Sequence, residues 1–217
     1  IKTVYETFKK LWDDGLIYRG ERIVNYSTKY QTSYSDIEVN YKQEKGTLWQ
    51  IAYPLIDQVG EIVVATTRPE TMLGDVAIAV NPTDERYKHL IGTKAHLPIV
   101  DREIPIIADD YVDKNYGTGA VKITPAHDPN DFEIGKRHNL KPIQVIGFDG
   151  TMINVPQHYM GLDIETARKR VLTDLEIAEL RRGESEIEHT VGYDYKSGLP
   201  IQPMIKDQWF IKVKPLA

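Results

Sequence analysis

Short runs rich in β-branched and aromatic residues recur along the whole chain, and helical patterns do not alternate with them at the regular interval that βαβ units would impose. The runs include "IVNYST", "GTLWQIAYPL", "GEIVVATT", "VAIAV", "AHLPIV", "REIPIIA", "AVKIT" and "IQVIG". Pro, Gly, Asn and Asp separate them, so each reads as a strand closed by a turn. Helical signals are fewer. "VYETFKKLWDDG" places Val4, Phe8, Leu11 and Trp12 at helical spacing, with Gly15 as the stop. "NPTDERYKHLIG" offers Asn81 as N-cap with Pro82 in the first turn, and "DPNDFEIGKRHN" repeats the device with Asp128 and Pro129. The longest predicted helix lies in "LDIETARKRVLTDLEIAELRRG", with Ile164, Ala167, Val171 and Leu175 on one face and Gly183 closing it. The three tryptophans, Trp12, Trp49 and Trp209, read as core anchors. The sum predicts an α+β, β-rich fold: a mostly antiparallel, barrel-like sheet with peripheral helices.

At 217 residues the chain is long enough to bury a real core in one domain. That domain is expected to span residues 1–217, with connecting segments at about 1–25 and 185–217. Opening on Ile1 and closing on the dense "KDQWFIKVKPLA", both ends look cut from a longer chain. There is no cysteine, which excludes disulfides, thiolate catalysis and Cys-ligated metals. A net charge of −5 argues against gripping long nucleic acid by its backbone, but permits contact with one end of it. No apolar run approaches the roughly 18 residues of a membrane span, and a cytoplasmic setting is expected.

Two stretches carry more polar chemistry than a turn requires. In "TTRPETMLGD", Thr67 and Glu70 fit a capping box with Pro69 in the first turn, which leaves Thr66 and Arg68 without a task. A helix N-terminus also attracts anions and carbonyl oxygens. In "GTGAVKITPAHDPND", Asp128 and Asp131 are explained as an N-cap and a first-turn acid. Lys122 and Thr124 are not; at period two they share one strand face and aim at the same end as His127 and the aspartates. Gly117 and Gly119 suggest close approach of the backbone to a ligand. Three ligands are open on this pattern. A divalent metal would use His127 and the aspartates but meet Lys122 as a like charge. A phosphate cradle lacks the Gly-Lys-Ser/Thr that opens a helix. An amino group held by Asp131, with hydroxyls and a lysine around an ester or amide carbonyl, uses every residue type present. Elsewhere, Arg168 to Arg170 and the pair Arg181 and Arg182 read as solvated faces.

With "GLIYRGERIVNYST", "KGTLWQIAYPL", "YKHLIGT", "REIPIIADDYVD" and "QWFIKVKPLA", these two motifs resemble the inserted editing domain of the valyl members of the class I aminoacyl-tRNA synthetase family. The likeness runs over essentially the whole chain. Neither the "HIGH" nor the "KMSKS" aminoacylation signature occurs, and "GYDYKSGLPIQP" lacks the Cys pairs that many relatives use for zinc. The resemblance implies post-transfer editing: hydrolysis of the ester of threonine mischarged onto valine tRNA. Threonine and valine are nearly isosteric, and an apolar pocket rejects an added hydroxyl only weakly; valyl-tRNA synthetases facing threonine are the standard illustration of that rule. By the same likeness Asp131 anchors the substrate ammonium and Asp128 meets its side-chain hydroxyl. Thr66, Thr67, Arg68 and Thr71 hold adenosine and ester, and Lys122 and Thr124 face the developing oxyanion. His127 is a candidate base by its ordinary pKa, and water positioned by the ribose hydroxyl is the alternative. No metal or cofactor is implied for this domain, ATP and Mg2+ belonging to the full-length enzyme. The implied partners are the aminoacylated 3′ end of valine tRNA, its threonyl-adenosine moiety and the rest of the synthetase in cis, with the protein a monomer away from membranes. Two other readings stay open: a tRNA 3′-end binding module without catalysis, and a metal-dependent hydrolase.

Overall fold

The computed structural model describes residues 1–216. In chain order the elements are α1 (Lys2–Asp13), β1 (Ile17–Ser27), β2 (Thr32–Tyr34), β3 (Val39–Pro54), β4 (Glu61–Thr66), β5 (Ala77–Val80), β6 (Lys94–Leu97), β7 (Arg102–Ala108), β8 (Ala120–Ile123), α2 (Pro129–Arg137), α3 (Ile164–Ile177), β9 (Arg181–Asp194) and β10 (Gln202–Ile211). Among the described residues they form three open sheets, ordered β10-β1-β2, β4-β3-β9 and β6-β7-β5-β8.

The barrel-like sheet expected from the strand pattern is therefore not what forms. The fold is α+β with mixed antiparallel and parallel sheets and peripheral helices, and no sheet closes on itself. Alternation along a run establishes that it is a strand and which face is buried, but its neighbours follow from long-range register. β5 illustrates the point: it pairs antiparallel with β8 and parallel with β7. All four of its residues are buried, as suits a strand covered on both faces. Ile78 and Val80 join the main core with Ile51, Tyr53, Ile62, Val64 and α3, whereas Ala77 and Ala79 pack with Ile123 and Ile134 beneath α2.

Local chemistry accounts for the remaining differences. Asn81 and Asp84 accept hydrogen bonds from the backbone two residues ahead, at Thr83 N and Arg86 N, and the expected helix at Asn81 shrinks to a single 3-10 turn at Lys88–Leu90. α3 buries Ala167, Val171 and Leu175 as its spacing predicts. It stops at Ile177, before Glu179 enters the left-handed region at φ 55°, and Gly183 lies inside β9. "IQVIG" contributes only the isolated bridge from Ile146 to Met152. In α1 no residue is buried, although Gly15 stops it at φ 66°. Trp12 and Trp209 are half-exposed, stacked edge to face, and Trp49 is half-buried, so none is a core anchor.

Candidate functional site

The two polar motifs leave the ends of β4 and β8, which pack side by side. After β4, Pro69–Gly74 forms a 3-10 turn whose six residues are all buried. Gly74 is required there, since an added Cβ would lie 2.7 Å from Ile143 O. No side chain caps this turn, so the expected capping box is absent. Thr66 Oγ1 instead accepts from Arg68 N, and Glu70 turns inward to two arginines. After β8, α2 starts as its sequence predicts: Asp128 Oδ1 accepts from Asn130 N and Asp131 N, with Pro129 in the first position.

Between these elements lies a cavity of about 170 Å³, lined by Thr66, Thr67, Arg68, Thr71, Lys122, Thr124, His127, Asp128 and Asp131, with Leu48, Ala65, Tyr116 and Val121 as its other walls. All nine candidate residues from the two motifs thus meet in one place. Gly117 and Gly119 are not among its lining residues. They adopt positive φ (58° and 80°), Gly117 lying behind the wall formed by Ala65 and Leu48 and Gly119 beside Asp84.

A buried charge network forms the cavity floor. Lys122 Nζ donates to Thr71 Oγ1 (2.9 Å), Thr124 Oγ1 (2.6 Å) and Asp75 Oδ1 (3.2 Å). Thr124 Oγ1 donates to Asp75 Oδ1 at 2.5 Å, Thr71 Oγ1 to Arg68 O at 2.9 Å, and Tyr53 OH to Asp75 Oδ2 at 2.7 Å. An ammonium has three N–H bonds, so Lys122 is saturated, and neither threonine hydroxyl has a proton left to give. Asp75 is fully buried, and burial raises its pKa against the pull of Lys122. It ends the first motif, yet nothing adjacent in sequence announced its partners.

Asp131 is 8% exposed and accepts Thr124 N–H through Oδ2 at 2.8 Å. Burial, followed by the charge of Asp128, raises its pKa to about 7. Its Oδ1 accepts nothing from the described residues, nor does Oδ2 of Asp128. His127 is in the opposite condition. Its Nε2 accepts Val145 N–H at 2.9 Å and Ile146 N–H at 3.3 Å, while Nδ1 faces Pro203 O at 3.4 Å. Burial and the charge of Arg68 lower its pKa to about 3. Both ring nitrogens therefore face partners within the fold, and burial disfavours the charged form of the imidazole.

Arg68 spans the rim. It donates from Nε to Glu70 (3.3 Å), from Nη1 to His127 O (3.0 Å) and from Nη2 to Gln202 Oε1 (2.5 Å). Two of its five N–H bonds remain unassigned among the described residues. Arg168, read from sequence as part of a solvated face, instead reaches in from α3 to grip Glu70 at 2.9 and 3.1 Å. Burial opposes ionisation of Glu70, but the Arg168 hydrogen bonds and both guanidinium charges outweigh it and hold the pKa low. A second cavity, about 520 Å³, adjoins the first and shares Thr67, Arg68, His127 and Asp128 with it, bounded further by Trp49, Arg168, His189 and Gln202. Among the described residues no three His, Asp or Glu side chains converge as a metal ligand set, and no helix is long and apolar enough to cross a membrane.

Comparison with known proteins places the chain in a lineage. The valine--tRNA ligase of Geobacillus stearothermophilus is 57% identical over 216 residues, that of Bacillus subtilis 53% and that of Clostridium tetani 51%. Each alignment covers 100% of this chain and 24% of the relative, so the chain spans about a quarter of their length. Among solved structures, the agnB2 LeuRS of Agrobacterium radiobacter K84, in a ternary complex with tRNA and LeuAMS, shares the fold with a TM-score of 0.51 at 17% identity, over 91% of this chain and 32% of that one. The family described as tRNA synthetases class I (I, L, M and V) matches residues 1–217, and it is to this family that the chain belongs.

Proposed function

We propose that residues 1–217 form the editing unit of a valine--tRNA ligase, and that the small cavity hydrolyses the ester joining threonine to the terminal adenosine of valine tRNA. The observation that carries this reading is the meeting of all nine candidate residues around one buried carboxylate, Asp131. Its unpartnered oxygen suits an α-ammonium group, whose charge favours the ionised form of a carboxylate poised near pH 7. Asp128 Oδ2 takes the threonine side-chain hydroxyl. Valine would leave that oxygen unpaired, a penalty of about 1–3 kcal/mol, so the correct product is spared.

Water adds to the ester carbonyl carbon, and the tetrahedral oxyanion collapses as the bond to the ribose oxygen breaks. The ribose oxygen takes the proton, and threonine departs. With His127 occupied, the ribose hydroxyl beside the ester is the group that positions water. Lys122 supplies positive charge beneath the carbonyl and holds Thr71 and Thr124 in place. Donation to the oxyanion falls to the two remaining N–H bonds of Arg68, which modifies the sequence assignment of that task to Lys122 and Thr124. Thr66 and Thr67 wall the pocket, and the larger cavity gives the adenosine room beside Thr67 and Arg68. The partners are then the tRNA 3′ end and the remainder of the ligase in cis, in a cytoplasmic, monomeric enzyme.

The test is deacylation of Thr-tRNA(Val) and Val-tRNA(Val) by this chain, with and without EDTA. The expected result is release of threonine, little release of valine and no effect of the chelator. An ester protected without release would support a binding module, and abolition by EDTA a metal-dependent hydrolase; either overturns the proposal.

A further inference from the structure

Resting on the editing reading above, the geometry points to Gln202 as a positioning residue that, from β10, holds the guanidinium of Arg68 with two N–H donors turned to the substrate. Three acceptors orient Arg68: the carboxylate of Glu70, the carbonyl of His127 and the side-chain carbonyl of Gln202. They differ in what each can be asked to do. Glu70 also holds Arg168, so it serves the scaffold as well as the site. The His127 carbonyl is main chain and cannot be tuned by side-chain identity. Gln202 makes the shortest of the three bonds, at 2.5 Å, and Arg68 is its only side-chain partner among the described residues.

Its position in the fold gives the contact meaning. Gln202 opens β10 and pairs with Tyr26 of β1, in a sheet separate from both strands that deliver the catalytic motifs. It is 8% exposed and lines the larger cavity on the side where Arg68 sits. The next residue, Pro203, presents its carbonyl to Nδ1 of His127. Two consecutive residues of one peripheral strand therefore engage Arg68 and His127, both of which line the two cavities. A planar guanidinium held at three of its N–H bonds has a fixed direction for the remaining two. Removing the Gln202 acceptor leaves the guanidinium plane held at Nε and Nη1 alone and free to tilt about that edge, without touching the charge network beneath.

The test is a double-mutant cycle in this chain, read as kcat and KM for Thr-tRNA(Val) deacylation, with thermal melting as a control for folding. Gln202→Ala is expected to lower kcat/KM by about tenfold while the melting temperature changes little. Gln202→Glu, which keeps an acceptor for Arg68, is expected to stay within about twofold of the parent. In an Arg68→Ala background, Gln202→Ala is expected to add no further loss. An undiminished effect in that background, or a parental kcat/KM in Gln202→Ala, overturns the assignment. If the parent chain releases no threonine, the editing reading fails and the positioning contact is judged by the ¹⁵N guanidinium resonances of Arg68. Slow Nη exchange in the parent and in Gln202→Glu, with collapse in Gln202→Ala, supports the contact; identical spectra in all three overturn it.

Discussion

The cavity between β4, β8 and α2 and the sheet β10-β1-β2 with α1 use polar and aromatic residues in opposite ways. Around the cavity, Asp75, Glu70, Lys122, His127 and Asp131 are all buried and tied to named partners. In the outer sheet, Arg19 pairs with Asp207 at the surface, and Phe8, Trp12 and Trp209 stack edge to face while about half exposed. Burying titratable and charged groups is costly unless each is paired, so a structure that keeps five of them together trades stability for a fixed arrangement. The outer sheet can lose a contact to water; the cavity cannot.

The largest expected effect lies at Asp131. Asp131→Asn is expected to lower kcat/KM for threonine release on the order of 10²- to 10³-fold, as for a buried charged contact that loses one partner. The same change should stabilise the fold. Between its ordinary 3.8 and its value of about 7 here, the folded protein keeps a proton that the unfolded chain has lost. Stability therefore falls as pH rises through that window, and asparagine escapes the loss. Melting curves should show Asp131→Asn above the parent at pH 8 and level with it below about pH 4. In the parent, kcat/KM should rise through about pH 7 as Asp131 ionises, then fall as the substrate amine loses its proton near its ordinary value of about 7.7–8.0. No limb should trace to His127, whose pKa lies at about 3.

Lys122→Met comes next. It removes the cation from the floor and, among the described residues, leaves the carboxylate of Asp75 hydrogen-bonded only to Tyr53 and Thr124. The expected loss is about 10²-fold in kcat, with destabilisation of about 3–5 kcal/mol at neutral pH. Burial already raises the pKa of Asp75, so protonation should relieve part of that cost in acid. Urea titrations at pH 5 and pH 8 check the sign. At the other extreme, Trp209→Ala should cost less than about 1.5 kcal/mol and leave deacylation within about twofold of the parent, because Trp209 is 54% exposed and packs on Phe8 and Trp12, themselves about half exposed. A large activity loss from Trp209→Ala would erase the contrast between the two regions.

Much of the cavity could be read from sequence, because its signals are local. Asp128 followed by Pro129 marks the start of α2, and the spacing of Lys122 and Thr124 puts both on one strand face. Asp75 could not be read, because its partners Tyr53 and Lys122 lie 22 and 47 positions away. Arg168 looked solvated for the same reason: Glu70 is 98 positions distant and its inward turn is invisible in a motif that also fits a capping box. The barrel failed at the scale of sheets, where alternation identifies strands but leaves open that β5 pairs with β7 in parallel. What the pattern of residues states is chemistry at a strand end; what it omits is the partner across the fold.

The most direct measurement is a structure of this chain with a non-hydrolysable threonyl-adenosine analogue. The ligand amine is expected within hydrogen-bonding distance of Asp131, its side-chain hydroxyl on Asp128 and its carbonyl oxygen facing Arg68. An analogue seated with its amine turned to solvent, and Asp131 still bound only to Thr124 N–H, would contradict the proposal.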